Sequence, residues 1–241
     1  MTSLIQSAKE NLEFLGVCLL VIAVIFVVAS VSERWLRRKN HMPRSVSPAR
    51  RVAIVGMFSA ISGVLMYFEI PLWFAPNFYE MDFSEIPVLI CGFSMGPVAG
   101  VAAELCKVLI KLFLKGTSTA FVGDLANFMV GCALILPATI IYYHRKNKKT
   151  AITGLVIGTL VMTVFGSAFN GMYLIPKFSQ LFGLPLEAII GMGTAVNPAI
   201  TSVWTLVLFA VVPFNLLKGA VVSVITMLLY KHISPILKGR H

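Results

Sequence analysis

The sequence predicts an all-α integral membrane protein, and two observations carry this prediction. Hydrophobic residues make up 58% of the chain and charged residues only 12%, whereas soluble domains average about 45–50% and about 25%. Charge-free apolar runs recur along the chain, and their lengths are similar to the roughly 20 residues that a helix needs to cross a bilayer. They are too long for the strands of a membrane barrel. These runs are residues 14–32, 52–68, 86–103, 125–143, 151–176 and 188–217.

Basic clusters determine how many of these runs cross the membrane. Lys and Arg concentrate in residues 34–51, in residues 144–149 and in the C-terminal tail. Because basic loops stay on the cytoplasmic side, an even number of helices must join each pair of clusters. Three apolar runs separate the first two clusters, so one run must be split. Gly96-Pro97 predicts the position: a short helix over about 83–95 ends there, and a second helix over about 97–114 begins at the proline.

The C-terminal part then has room for two spans. Residues 151–176 provide the first, and two stretches separated by Pro213 compete for the second, residues 188–210 and residues 214–230. The later stretch is predicted to be the span because it ends at the basic tail. The earlier stretch is predicted to lie on the surface or to re-enter the membrane, where irregular backbone is tolerated only along a protein cavity.

The predicted organisation is therefore a six-helix, substrate-binding membrane domain over residues 51–241, preceded by one extra transmembrane helix. Residues 1–50 form this N-terminal anchor and a basic cytoplasmic linker. The extra helix is predicted to be an uncleaved anchor with its N-terminus outside. A signal peptide is the alternative, but the N-terminal region is not basic and no small-residue cleavage site follows the run.

Several function classes are disfavoured by the sequence. The net charge of +10 does not indicate nucleic acid, since the basic residues flank apolar runs where they orient helices. The four cysteines lie within apolar segments and the four histidines in basic flanks or the tail, so neither a disulfide framework nor a metal site is expected. No Walker A motif, no HExxH helix and no outward nucleophile with a histidine base is present. Recognition of a ligand, rather than an enzymatic reaction, is predicted.

Polar residues collect on the predicted outer side. Charged side chains inside a membrane are costly and are usually paired or functional. Glu104 and Lys107 are three residues apart on one helix, which favours mutual neutralisation over ligand contact. Asn215 and Lys218 share this spacing without an acid within one turn, which leaves ligand contact and a snorkelling lysine both open. The polar set within the spans is Glu104, Lys107, Lys111, Asp124, Asn127, Asn170, Asn215 and Lys218.

A stripe of small residues marks the first core helix. Ala53, Gly56, Ala60 and Gly63 fall within "RRVAIVGMFSAISG", and Gly56 and Ala60 are four residues apart. Small residues at this spacing allow another helix to approach closely. Packing inside the bundle is the alternative interpretation.

Four ordered blocks of the sequence resemble the riboflavin-specific S components (RibU family) of energy-coupling factor (ECF) vitamin transporters. The blocks are "MDFSEIPVLICGFSMGPVAGVAAELCK", "GTSTAFVGDLANFMVGCALILPA", "GLVIGTLVMTVFGSAFN" and "AVNPAITSVWTLVLFAVVPFNLLKG". The resemblance implies a six-helix S component in the bacterial plasma membrane that binds riboflavin from the outside. It implies no cofactor and no enzymatic activity, because a transmembrane coupling protein and two ATPases provide the energy. The alternatives are an S component for another vitamin or for FMN, or a lipid-modifying membrane enzyme.

The resemblance also implies roles for individual residues. By motif position, Asn215, Lys218 and Asn170 contact the flavin, and the outer turn that contains Thr117 joins the same site. In the acidic loop of residues 75–85, Asp82 or Ser84 can cap the following helix. Tyr79, Met81 and Phe83, together with Asp82, would then cover a flat ring as a lid. A loop that merely offsets positive charge is the alternative. The small residues Ala53, Gly56 and Ala60 would meet the coupling protein.

Overall fold

The helices follow the apolar runs of the sequence closely. A computed structural model describes residues 2–40, 47–76, 79–117 and 119–238, with side chains from residue 16 to residue 232 within these ranges. Part of the predicted basic linker (41–46) and two residues of the predicted lid loop, Asn77 and Phe78, lie outside the described residues. The α-helices are α1 Thr2–Lys39, α2 Pro48–Leu65, α3 Glu85–Met95, α4 Pro97–Lys115, α5 Val122–His144, α6 Lys148–Phe169, α7 Ile175–Phe182, α8 Leu186–Thr194, α9 Val203–Leu206 and α10 Val212–Lys238.

The break at Gly96-Pro97 is confirmed. Gly96 has a φ of 108°, a conformation that residues with a Cβ rarely adopt, so the chain can turn sharply between α3 and α4. Pro97 is the first residue of α4, where its missing N–H has no helical partner to lose. Two antiparallel helices therefore replace the single span that hydropathy alone would assign.

The predicted break at Pro213 is wrong. Residues 203–232 form one continuous helical span, because a π-helical turn, Val207–Val211, joins α9 to α10. The π-helical turn already departs from the regular α-helical hydrogen-bond pattern immediately before the proline, so the missing Pro213 N–H does not end the helix. The earlier stretch does not re-enter the membrane as one element, since it contains α8, a loop and the start of this last helix. A second π-helical turn, Asn170–Leu174, joins α6 to α7.

The chain is an all-α integral membrane protein. Five helices among the described residues are long and apolar enough to cross a membrane. α3 is apolar but has only 11 residues, and α4 follows it with buried charges on its inner face. The five candidate spans are Gly16–Lys39, Pro48–Leu65, Val122–His144, Lys148–Phe182 and Val203–His232.

The extra helix α1 is longer than predicted and packs on the core. Ala29 of α1 belongs to a cluster of buried residues with Val101 of α4 and Phe128 of α5. At its C-terminal end, Glu33 accepts a hydrogen bond from the backbone N–H of Val98 at 3.0 Å, which satisfies an open donor at the start of α4. Asn40 donates to the His144 carbonyl at the end of α5. The N-terminal helix is thus joined to the bundle by specific contacts.

Candidate functional site

The described part of the predicted lid loop includes one strand of a short antiparallel hairpin. Strand β1 (Ile70–Pro71) pairs antiparallel with strand β2 (Glu80–Met81). Beyond β2, Asp82 Oδ1 accepts a hydrogen bond from the Ser84 backbone N–H at 2.8 Å, which fixes the turn that precedes α3. Asp82 is not the predicted helix cap, because the N-cap residue of α3 is Ser84. The Ser84 side chain makes no capping bond and instead donates to Asp82 and Glu85.

Lys218 connects this loop to the last membrane helix. Its Nζ lies 3.0 Å from Asp82 Oδ2 and 3.3 Å from Glu85 Oε1, and all three side chains are buried. Lys218 therefore points into the bundle and does not snorkel. Burial raises the pKa of Asp82, but the positive charges of Lys218 and Lys107 and the hydrogen bonds from Ser84 and Lys218 outweigh it and hold that pKa well below its ordinary value.

The charged cluster continues across α4. Lys107 Nζ lies 3.3 Å from Glu85 Oε1 and 2.6 Å from Glu104 Oε1, and Lys107 and Glu104 are fully buried. The predicted pairing of Glu104 with Lys107 is confirmed. Neither oxygen of Glu104 has a hydrogen-bond partner among the described residues, so this close contact is an ion pair without hydrogen-bond geometry. We call the five residues Asp82, Glu85, Glu104, Lys107 and Lys218 the charged cluster.

An amide-lined region lies next to the charged cluster. The Tyr79 hydroxyl donates to Asn170 Oδ1 at 2.9 Å, and Asn170 Nδ2 donates to the Gly166 carbonyl at 2.8 Å. The Tyr79 ring lies 5.6 Å from the ring of Phe214, and burial raises the pKa of the Tyr79 hydroxyl. Asn215 is buried, and its Nδ2 has no partner among the described side chains and backbone groups.

Gly166 brings the two amides together. A Cβ at Gly166 would lie 3.2 Å from Asn215 Nδ2, so a larger residue would press on this side chain. The structure thus brings together Tyr79, Asn170 and Asn215, and next to them Asp82 and Lys218. An unpartnered buried amide donor is costly and is the feature expected of a group that bonds a ligand.

The remaining predicted site residues contribute differently. Met81 is a buried residue of strand β2, and Phe83 packs against the main hydrophobic core, so both support the loop. Thr117 Oγ1 accepts a hydrogen bond from the Phe121 backbone N–H at 3.0 Å and shapes the turn between α4 and α5. In this conformation the Thr117 hydroxyl therefore bonds within its own turn and does not contact the residues around Lys218.

The small-residue stripe of α2 divides into two parts. Ala53, Gly56 and Ala60 are exposed on the surface of the chain, and a Cβ at Gly56 would meet nothing within 4 Å. Gly63 is different, because a Cβ there would lie 2.4 Å from Ile110 Cγ2 of α4. Gly63 thus serves packing inside the bundle, whereas the other three leave a shallow open surface.

Sequence reasoning missed two residues of the site. Glu85, the second carboxylate beside Lys218, stands three positions after Asp82 in the first turn of α3, and this spacing was the available signal. Phe214, which faces Tyr79, immediately precedes the predicted contact Asn215. Among the described residues, no group of His, Cys, Asp and Glu could hold a metal ion.

Fold and site together define a multi-pass membrane protein with a buried polar cluster beneath the hairpin of β1 and β2. The sequence profile described as "ECF transporter, substrate-specific component" matches residues 50–230. The chain therefore belongs to the substrate-specific components of ECF transporters, as its sequence predicts, and is a multi-pass protein of the bacterial cell membrane.

Relatives and a solved structure agree with this family. The chain is 34% identical over 203 residues to the riboflavin transporter RibU of Staphylococcus aureus, covering 84% of this chain and 97% of that protein. It is 29% identical over 187 residues to the riboflavin transporter FmnP of Bacillus subtilis, covering 77% and 93%. A solved structure described as the S component of a bacterial ECF transporter superposes with a TM-score of 0.62 at 33% identity, covering 80% of this chain and 99% of that one.

Proposed function

We propose that this protein is the riboflavin-binding S component of an ECF importer and is not itself an enzyme. The observation that carries the proposal is the unpartnered Asn215 amide beside Lys218, buried under the Tyr79 hairpin. The isoalloxazine ring of riboflavin is flat, largely apolar and edged with carbonyls and ring nitrogens. Asn215 Nδ2 and Lys218 Nζ can donate to such acceptors, and the rings of Tyr79 and Phe214 offer aromatic faces. The relatives named above are riboflavin transporters, which supports the same ligand.

The charge of the site favours riboflavin over FMN. The charged cluster contains three carboxylates and two lysines, a formal net charge of −1. A phosphate group placed near it would lose its hydration and would meet three carboxylates as well as the two lysines, whereas the ribityl chain of riboflavin brings no charge into the site. FMN is therefore the weaker ligand in this proposal.

A simple measurement tests the ligand. Protein purified from a culture supplied with riboflavin should be yellow, with the absorbance of an oxidised flavin and about one flavin per chain. Titration of the flavin-free protein with riboflavin, FMN and an unrelated vitamin then ranks the ligands. No flavin in the purified protein and no affinity on titration would exclude the proposal and favour another vitamin. Turnover of a lipid by the isolated chain would favour the enzyme alternative.

The same proposal assigns a partner to the exposed stripe of α2. A transmembrane coupling protein with two ATPases would supply the energy, and Ala53, Gly56 and Ala60 offer a surface on which a helix can approach closely. In this scheme residues 51–241 form the substrate-binding domain, and residues 1–50 form an anchor and a cytoplasmic linker. Riboflavin itself enters as the transported ligand, and no cofactor is required.

The variant Gly56→Leu/Ala60→Leu tests this partner. Both positions are exposed, so the change should leave folding and riboflavin affinity unchanged while holding the partner helix away. Riboflavin uptake in cells should therefore fall at least tenfold. The double variant Met57→Leu/Ile61→Leu, at exposed neighbouring positions of α2, is the control and should transport normally. A loss of affinity together with uptake would mean that the stripe packs within the bundle.

A further inference from the structure

A long groove lies between α6 and α10 in the cytoplasmic half of the bundle. It encloses about 970 Å³ and is separate from the site under the hairpin. The hydroxyls of Tyr142 and Tyr230, 3.0 Å apart, belong to side chains that line it. Its walls are mainly apolar and include Ile152, Leu155, Val156, Met227 and Leu228.

Small side chains on α6 and α10 leave the groove open beside the positions where the two helices touch. A Cβ at Gly219 of α10 would lie 2.5 Å from Thr159 Cγ2 of α6, so the two helices touch there. Nearer the cytoplasmic end, Tyr230 of α10 packs against Phe93 and Tyr142, with ring centroids 5.5 and 5.7 Å apart. The small side chains Ala151 and Ala220 line the space that remains.

The length of the groove matches one leaflet of a bilayer. Its lining runs from Lys148 to Leu160 on α6 and from Ala220 to His232 on α10. Each stretch rises about 18 Å along its helix, and half of the hydrocarbon core is about 15 Å thick. The groove therefore extends from the cytoplasmic surface to the middle of the membrane, the depth that an acyl chain occupies.

The cytoplasmic rim of the groove is basic. Lys146, Lys148, Lys231 and His232 line it, and no acidic side chain does so among the described residues. Lys146 Nζ lies 3.9 Å from the centroid of the Tyr143 ring, and Lys146, Lys148 and Lys231 are all exposed. An apolar groove that ends in a cluster of cations at the membrane surface is complementary to a lipid with an anionic headgroup.

We propose that this groove binds one anionic glycerophospholipid of the inner leaflet. One acyl chain lies along α6 and α10, and the phosphate lies between Lys148 and Lys231. The lipid fills the space between the two helices that also carry Asn170, Asn215 and Lys218 at their outer ends. It occupies no part of the flavin site, so lipid binding and riboflavin binding are separate properties.

Native mass spectrometry of the detergent-solubilised full chain tests the headgroup contacts. Phosphatidylglycerol should be retained as one bound molecule and in preference to phosphatidylcholine. The double variant Lys148→Ala/Lys231→Ala should weaken phosphatidylglycerol retention about 25-fold, or about fivefold for each lysine. The control, Arg38→Ala/Lys39→Ala, removes two charges from the cytoplasmic end of α1 and should leave retention unchanged. Equal retention of the two lipids, or equal losses in the two double variants, would overturn the proposal.

A second pair of variants tests the groove itself. Ala220→Phe fills the groove from an exposed position and should abolish retention of the lipid. Val164→Phe adds comparable bulk at a position on α6 that is 71% exposed and lies outside the groove, so it should have no effect. Excess inorganic phosphate should not displace the lipid, because the acyl chain contributes most of the contact. Displacement by phosphate, or full retention by Ala220→Phe, would show an anion site without a lipid groove and contradict the proposal.

Discussion

The two halves of the bundle bury different chemistry. The half beneath the hairpin is predicted to face outward and is called the outer half, and the opposite half is predicted to be cytoplasmic and is called the cytoplasmic half. The outer half buries the charged cluster and the amides Asn170 and Asn215. The cytoplasmic half buries the ring of Phe93 against Tyr142, with centroids 4.6 Å apart, and against Tyr230. Buried charges add little to stability compared with well-packed apolar groups, so the outer half is built for recognition at some cost in stability. The cytoplasmic half supplies the packing that keeps the site in place.

The variant Lys218→Ala, in the outer half, should have the largest effect on riboflavin affinity and on stability. The change leaves Asp82 and Glu85 without this positive partner and removes a proposed flavin donor. We expect riboflavin affinity to fall about a hundredfold and unfolding free energy to fall by about 3–5 kcal/mol. Flavin fluorescence quenching and thermal unfolding are the measurements. A folded Lys218→Ala protein with unchanged affinity would mean that the lysine serves only the ion pairs.

The variant Asp82→Asn should release the hairpin without removing Lys218. It weakens the link to Lys218 and the bond that fixes the turn preceding α3, so hydrogen exchange of residues 79–84 in the flavin-free protein should rise about tenfold. Riboflavin should restore protection if the hairpin is a lid that the ligand holds closed. Strong protection that is equal with and without ligand, in both proteins, would show that the hairpin is a fixed wall.

Asp82 should stay ionised throughout the pH range of this exchange experiment. Its folded pKa lies below the ordinary value of 3.8, so its contribution to stability is fully present above that value and is lost only as the pH falls through the folded pKa. Exchange differences between wild type and Asp82→Asn should therefore persist across pH 5–8, after correction for the intrinsic exchange rate.

Tyr79→Phe should have a smaller effect that is confined to the outer half. It removes the hydrogen bond to Asn170 but keeps the ring that faces Phe214. One neutral hydrogen bond contributes about 1 kcal/mol, which corresponds to about a fivefold loss of riboflavin affinity. Tyr79→Leu is the companion variant, and its loss should be larger because it also removes the aromatic face. Equal affinities for all three proteins would place the ligand away from this ring.

Tyr230→Phe is the counterpart in the cytoplasmic half and has the smallest expected effect. It removes the hydroxyl contact with Tyr142 while keeping the ring on Phe93, so unfolding free energy should fall by about 1 kcal/mol. Riboflavin affinity should not change, because the site lies at the other end of the bundle. A loss of affinity comparable to that of Tyr79→Phe would show that the two halves are coupled.

Local features of the chain indicate which polar residues are unusual but not what they do. Asp82, Asn215 and Lys218 stand out as polar groups beside or within apolar runs, and the structure places them close to one another, whereas their proposed contact with a flavin follows from the family resemblance. The role of Met81, Phe83 and Thr117 could not be predicted in this way, since supporting a loop and lining a ligand site require the same residue types. The orientation of Met81 and Phe83 depends on the hairpin of β1 and β2, for which the sequence has no Asn-Gly or Asp-Gly turn signal.

The membrane class, most of the apolar helices and the break at Gly96-Pro97 follow from the sequence alone. Hydropathy, charge and proline act locally, so their consequences can be predicted from short stretches of chain. Tertiary packing set which groups became partners: Lys218 and Asp82 are 136 positions apart, and Tyr79 and Asn170 are 91 apart. It also decided that Pro213 continues a helix through a π-helical turn. These outcomes depend on how whole helices pack, and no local pattern of residues contains that information.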